Sequence, residues 1–366
     1  MSVTVNELIA HLDDAIPFSW AEPWDRVGLL VGSSSERVGR VLVTLDPTHA
    51  ALGRSAEAGA TVLLTHHPAF LEPFERLTWS GDDPDLAIEA LRTGVALIAC
   101  HTNLDRAPEG AEALPAVLGL EVIAPLERSQ QEVSTIVVYA PPEAAERLLT
   151  AMEDAGAGRI GRYGGCAFVA RGQGRFTPRS GSRPKSGEPG QPTAVDECRI
   201  EMVCSPQRAA SVIDAVRAAH PYEEPVVLSS RFGLSRGAAR MGRLCRPGAP
   251  VDVRGFAGLV GERLGVHCTV WGDPGRAVSM VAVAPGSGRS LVDDAIAGGA
   301  DTFVTGELRY HEALDAVEAG LAVIEAGHDA TEWPLIGALA SIARRMAGLA
   351  EDAVVLDESD HSWWTT

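Results

Sequence analysis

The feature that most constrains this chain is the regular alternation of short apolar, β-branched runs with segments of helical spacing. RVLVTLD (40–46), TVLLTHHP (61–68) and VALIACH (95–101) read as strands. Helical spacing fills the gaps, from about 49 to 58 and again in DLAIEALRTG, which Gly94 closes. Strands joined through helices lie parallel, and continuously apolar strands need cover on both faces, so a largely parallel sheet is expected here. The last third repeats the grammar: a strand over 277–284, the helix LVDDAIAGG, the strand DTFVTGE, the helix HEALDAVEAG and the strand LAVIEAGH. The long helix WPLIGALASIARRMAG follows. At the other end, VNELIAHLDDAI predicts a helix with Asn6 as N-cap and Pro17 as its stop.

The middle reads differently. Strands at QEVSTIVVYAP, CAFVARG, CRIEMVCS and PVVLSS alternate with the helices PEAAERLLTAMEDAG and PQRAASVIDAVRAAH. A β-α-β-β-α-β order of this kind predicts a small ferredoxin-like α+β domain. Between its second and third strands, the stretch 172–193 is rich in Gly, Pro and Ser, cannot bury a core, and is expected to be a mobile loop. The resulting division is an α/β body in two parts, 1–128 and 237–366, interrupted by an insert at 129–236.

Composition narrows the function classes. The formal net charge of -18 opposes nucleic-acid binding, which needs a basic face, and repels anionic substrates unless a metal supplies positive charge locally. The N-terminus lacks a basic region and a long apolar run, and no uncharged stretch approaches the roughly 18 residues that span a bilayer. The expectation is a soluble cytoplasmic protein with no membrane partner. Six cysteines form no C-x-x-C pair and sit mostly in apolar strands, where Cys serves as a small core residue.

The chemistry gathers at strand ends. His66 and His67 end TVLLT, His101 ends VALIAC with Asp105 just beyond it, and His328 follows LAVIEA with Glu332 four residues later. In open α/β sheets, ligand sites form outside the carboxyl ends of the strands. Imidazole and carboxylate together suit zinc, iron, manganese or nickel. Five ligands exceed what one catalytic zinc takes, so His66, His67, Asp105, His328 and Glu332 point to two divalent ions.

Each piece also has a plainer reading. Adjacent strand histidines alternate sides, so one could be a core residue. Asp105 could cap a helix from about Pro108, and Glu332 could be a helix N-terminal charge. Glu307 and His311 could orient ligands or form a surface helix face. Gly286, Ser287 and Gly288, between a strand and a helix, offer either a phosphate cradle or a tight turn.

The motifs WDRVGLLVG (24–32), VLVTLDPT (41–48), LLTHHPAF (63–70), HTNLD (101–105), TGELRYHE (305–312) and GHDATE (327–332) closely resemble the Nif-three-like family. Its members are labelled GTP cyclohydrolase I type 2 homologues, or dinuclear metal centre hexameric proteins. GRIGRYGGCAFVARGQGRF (158–176) and HPYEEPVV (220–227) resemble the PII-like insert of its longer members. The resemblance implies a two-lobed α/β subunit, a ring-shaped homohexamer, and a metal pair on the five ligands named above. His101 then becomes an acid/base or ligand-orienting group. Arg26 stands where many members have Asn, and the basic loop 175–185 is hard to match closely to the insert, which leaves its role open. The implied activity is metal-dependent hydrolysis of a nucleotide or phosphoester, with His101 or Glu307 moving protons. The other class of function is a non-catalytic metal-binding regulator or carrier.

Overall fold

The computed structural model describes residues 3–72, 83–128, 130–161, 163–235, 237 and 239–357. Contacts divide the chain into two units, Met1–Arg128 with Ala238–Thr366, and Ser129–Gly237.

The larger unit holds two main sheets. In its first half, strands β1 (Gly28–Val31), β2 (Val41–Thr44), β3 (Val62–Thr65), β4 (Ala96–Ala99) and β5 (Glu121–Pro125) alternate with helices α1 (Val5–Ala15), α2 (His49–Glu57), α3 (Asp83–Thr93), α4 (Thr102–Arg106), α5 (Pro108–Ala111) and α6 (Ala113–Leu118). The insert contributes β6 (Gln130–Ala140), α7 (Ala145–Asp154), β7 (Ala167–Phe176), β8 (Thr193–Cys204), α8 (Ala209–Ala219) and β9 (Val227–Ser235). The second half adds β10 (Arg243–Arg246), β11 (Val251–Asp252), α9 (Val253–Leu264), β12 (Thr269–Trp271), β13 (Ala277–Val278), β14 (Val281–Ser287) and α10 (Val292–Ala297). It closes with β15 (Thr302–Glu307), α11 (Tyr310–Glu318), β16 (Ala322–Glu325), α12 (His328–Arg344) and β17 (Val354–Leu356).

One sheet runs β1-β4-β3-β2-β17 and the other β12-β16-β15-β14-β10-β5. The crossover strands β17, β2, β3 and β4 are parallel, as are β14, β15 and β16. The expectation of mostly parallel strands needs correction at the sheet margins. β1 joins antiparallel to β4, β12 to β16, and β10 to both β14 and β5. These strands are too short to show a period of their own. The run expected as one strand over 277–284 is two, β13 and β14.

Helix ends also moved. The N-cap of α1 is Thr4, in a capping box with Glu7, because Asn6 already lies inside the first turn. Helix α12 starts at His328, five residues before the apolar run that betrayed it. HTNLD forms the short helix α4 with His101 as its N-cap, and the helix beginning at Pro108 has no side-chain cap.

Helix α12 packs Leu335, Ile336 and Leu339 into a core with Val41, Val43, Leu64 and Ile98 of the first sheet and Leu8 and Leu12 of α1. The other face of that sheet is covered through Leu52, Leu86 and Ala90 of α2 and α3. The second sheet is lined by Phe256 and Val260 of α9 on one side and by Leu291, Ala295 and Ala316 on the other.

The insert sheet runs β7-β8-β6-β9 with every neighbouring pair antiparallel, the strand order of a split β-α-β-β-α-β unit. Leu148 and Met152 of α7 and Val212 and Val216 of α8 cover one face. The expected loop 172–193 is shorter than its composition implied. Its first residues extend β7 to Phe176, and the remainder is anchored, Arg183 N donating to Glu223 Oε2 at 2.8 Å and Lys185 Nζ to Glu143 Oε1 at 2.5 Å.

Arg106 of α4, 1% exposed, lies deep in the larger unit. Its guanidinium meets Glu127 Oε1 at 2.9 Å and Oε2 at 3.2 Å, Glu22 Oε1 at 2.5 Å and the Trp20 carbonyl at 2.9 Å. Removing one partner of a buried pair strands the other charge, whereas removing both does not. Arg106→Met is therefore expected to cost about 3–5 kcal/mol in urea unfolding, with Arg106→Met/Glu127→Leu recovering part of it. A loss below about 1 kcal/mol for the single variant contradicts this role.

Candidate metal centre

Strand β3 ends at Thr65 and the backbone bends through His66 and His67. The bend is held against the end of β2 and the residue after it, with His66 N donating to Thr44 O at 3.2 Å and His67 N to Leu45 O at 3.0 Å. Residues that would alternate on an ideal strand thus converge, their ring centroids 5.1 Å apart. His101 is the N-cap of α4, and the helix carries Asp105 back toward His66, whose Nε2 is 3.5 Å from Asp105 Oδ1. His328 opens α12 and Glu332 lies one turn on, on the same face, their Nε2 and Oε1 atoms 3.1 Å apart. Glu332 also lies 3.1 Å from His67 Nε2 and 3.8 Å from His66 Nε2. The five expected ligands are brought together at the carboxyl ends of β3, β4 and β16.

The outer nitrogens decide the orientation of the rings. His66 Nδ1 is 3.0 Å from the Cys100 carbonyl and His67 Nδ1 2.7 Å from Asp46 Oδ1. His101 Nδ1 is 2.9 Å from Asp25 Oδ1, and His328 Nδ1 is 3.2 Å from Glu307 Oε1. Carbonyls and carboxylates only accept, so each Nδ1 donates outward and Nε2 is the nitrogen that each ring turns to the centre. This outer acceptor is what metal-binding histidines commonly have. Ring nitrogens of His66, His67 and His101 lie within 4.8 Å of one another, and the same holds for the donor atoms of His67, His328 and Glu332. His66 Nε2 and Asp105 Oδ1 are buried and make no hydrogen bond, although buried polar atoms ordinarily find partners. An imidazole and carboxylate set with orphaned inward atoms fits a divalent cation.

Electrostatics agree. Burial disfavours charge on Glu332, 4% exposed, but His328, His66 and His67 hold its carboxyl well below the usual range. Burial likewise opposes the His67 cation, and Asp46 and Glu332 outweigh it, raising His67 to about 10. Glu332 raises His328 to about 9 against its burial. Burial raises Asp105, with His66 pulling the other way. The cluster without metal therefore keeps protons that a cation would displace.

Several contributors escaped sequence reading. Asp46 follows β2 at the same sheet edge as His66, so the strand-end rule could have found it. Asp25 gave no such signal: β1 runs antiparallel, so the residues before it, not after it, reach that edge. Besides His101, Asp25 accepts from Thr102 N at 3.0 Å. Gly286 was read as a turn or cradle residue, yet its amide is taken by Thr331 Oγ1 at 3.0 Å. Its φ of +62° and the overlap a Cβ would make with Glu332 Oε1 show its role, which is to leave room for that carboxylate. Of the Glu307–His311 pair, only Glu307 bonds into the cluster; His311 is exposed beside Tyr310.

Gly286→Ala should displace Glu332, so elemental analysis is expected to show metal content falling while circular dichroism remains parental. Full metal content in this variant excludes the packing role. A second expectation concerns pH. His67 and His328 have folded pKa values raised to about 10 and about 9, above an unfolded value of about 6.5. Their stabilisation is complete below about pH 6.5 and is lost as pH rises through 9 to 10. The melting temperature of chelator-treated protein should fall over that range, and less so in His67→Gln; a flat or rising profile contradicts the assignment.

The sequence model of Duf34/NIF3 (NGG1p interacting factor 3) matches residues 3–360. A "GTP cyclohydrolase 1 type 2 homolog" of Mycobacterium bovis is 36% identical over 362 residues, covering 95% of this chain and 93% of that one. The protein of the same name in Bacillus subtilis is 31% identical, covering 96% and 94%. Among solved structures, a Bacillus cereus protein related to NIF3 superposes with a TM-score of 0.66 at 29% identity, covering 99% of this chain and 98% of that one. The chain belongs to the Duf34/NIF3 family.

Proposed function

We propose that His66, His67, Asp105, His328 and Glu332 hold two divalent ions, of zinc, iron, manganese or nickel, and that the centre hydrolyses a nucleotide or phosphoester. The observation that carries this reading is the uniform pose of the imidazoles, each Nδ1 bonded to an outer acceptor beside a buried Glu332. Two overlapping donor groups that share His67 favour a pair of ions over one. Ions held there would supply Lewis acidity toward a carbonyl or phosphoryl oxygen. Asp25 fixes the His101 tautomer, so His101 takes or returns a proton at Nε2. Glu307 holds His328 and is the second candidate for moving a proton.

The relatives named GTP cyclohydrolase 1 type 2 homolog favour a purine nucleotide as substrate. A second reading, a non-catalytic metal-binding regulator or carrier, is favoured by the insert, whose split β-α-β strand order suits a PII-like sensing module. The assembly consistent with the family resemblance is a cytoplasmic homohexamer; light scattering should find six chains per particle.

Elemental analysis of the parent should return two equivalents of metal per chain, falling below one in His67→Ala and His328→Ala. Turnover of GTP or a phosphoester should drop by about 100-fold or more in Glu332→Ala. Two tightly held ions with no turnover of either substrate class remove the hydrolase and leave the regulator.

A further inference from the structure

The insert carries a charge anomaly that the metal centre does not use. From Arg171 to Lys185 there are five basic residues and no acidic one, in a chain of net charge -18. The structure puts most of them around a cavity of about 640 Å³ lined by Arg175, Phe176, Arg179, Arg183, Glu197 and Tyr222, among others. Ligand pockets span roughly 300–1,000 Å³, so a nucleotide-sized molecule fits.

The cavity has two unlike walls. One is the loop after β7. Among the described residues no carboxylate pairs with the guanidinium of Arg175, Arg179 or Arg183. Guanidiniums that line one cavity without a carboxylate partner are suited to bidentate binding of a phosphate. The loop is not loose: Arg183 N is tied to Glu223 Oε2 and Lys185 Nζ to Glu143 Oε1. The other part of the lining, which Glu223 ties to the loop, is the turn after α8. His220 builds it, bonding the Tyr139 carbonyl through Nε2 at 3.0 Å and accepting Tyr222 N at Nδ1 at 3.0 Å. That turn brings Tyr222, Glu223 and Glu224 to the lining, with Glu197 from β8. Carboxylates accept hydrogen bonds from sugar hydroxyls, and the partly exposed ring of Phe176 offers a stacking face.

We infer that this cavity is a binding site for a nucleoside phosphate, with the phosphates on Arg175, Arg179 and Arg183, the sugar hydroxyls on the acidic wall, and the base against Phe176. A bare anion would use the arginines alone and leave the carboxylates and Phe176 without a partner. The site belongs to the insert and does not depend on the hydrolase reading.

Isothermal titration of the full-length chain with ADP, GDP, adenosine and pyrophosphate at fixed ionic strength tests this. One nucleoside diphosphate should bind saturably, one per chain, about tenfold or more tighter than pyrophosphate or adenosine. Arg179→Ala/Arg183→Ala, on exposed side chains, should weaken it at least about tenfold with metal content unchanged. Phe176→Ala should erase the advantage over pyrophosphate. Glu332→Ala should bind as the parent does, which separates this site from the metal centre. No saturable heat, parental affinity in the arginine variant, equal affinity for pyrophosphate, or loss of binding in Glu332→Ala overturns the inference.

Discussion

The larger unit depends on where helix α12 is packed. Its apolar residues from Leu335 onward complete the core of the first sheet, while its first turn leaves the end of β16 in the second. One rigid segment is thereby committed to both sheets, and His328 and Glu332 are fixed at the point where it passes between them. Gly286 and Gly306 permit that passage, since a Cβ at Gly306 would overlap the Gly286 carbonyl and crowd the backbone of His328. Burial of several large aliphatic side chains, each contributing about 1.5–3 kcal/mol, holds the carboxylate against the imidazoles.

That packing energy makes an otherwise costly arrangement tolerable. A carboxylate 4% exposed is not stable by itself in a core, and three imidazoles surround this one. The outer acceptors do more than satisfy hydrogen bonds. By accepting hydrogen bonds from Nδ1, Asp46, Asp25, Glu307 and the Cys100 carbonyl determine which nitrogen each ring turns to the centre. Buried polar atoms without hydrogen bonds, in a cluster otherwise this well bonded, are what a set of groups able to hold a cation presents.

The insert solves a different problem with the same means. Its core is made by two helices on one face of four antiparallel strands, and its loop is secured by the Lys185–Glu143 charge pair and the bond from Arg183 N to Glu223, not by burial. Glycine, proline and serine there forecast the lack of a core correctly, but composition carries no information on whether a loop's ends find partners.

The sequence by itself determined the crossover strands, the helices between them and the five residues of the candidate centre. Apolar period and strand-end position are local properties, and the imidazoles and carboxylates stand directly after the runs that reveal the strands. Asp46 was legible by the same rule. Tertiary structure alone decided the rest. Asp25 enters because β1 reverses direction beside β4, which no local pattern records. Glycine at 286 reads as a turn until the distant Glu332 is seen to occupy the space of its missing side chain. His66 and His67 face one centre only because the strand ends and bends beneath them, held by carbonyls of the neighbouring chain. Residue type is encoded locally, but convergence depends on contacts between segments hundreds of residues apart.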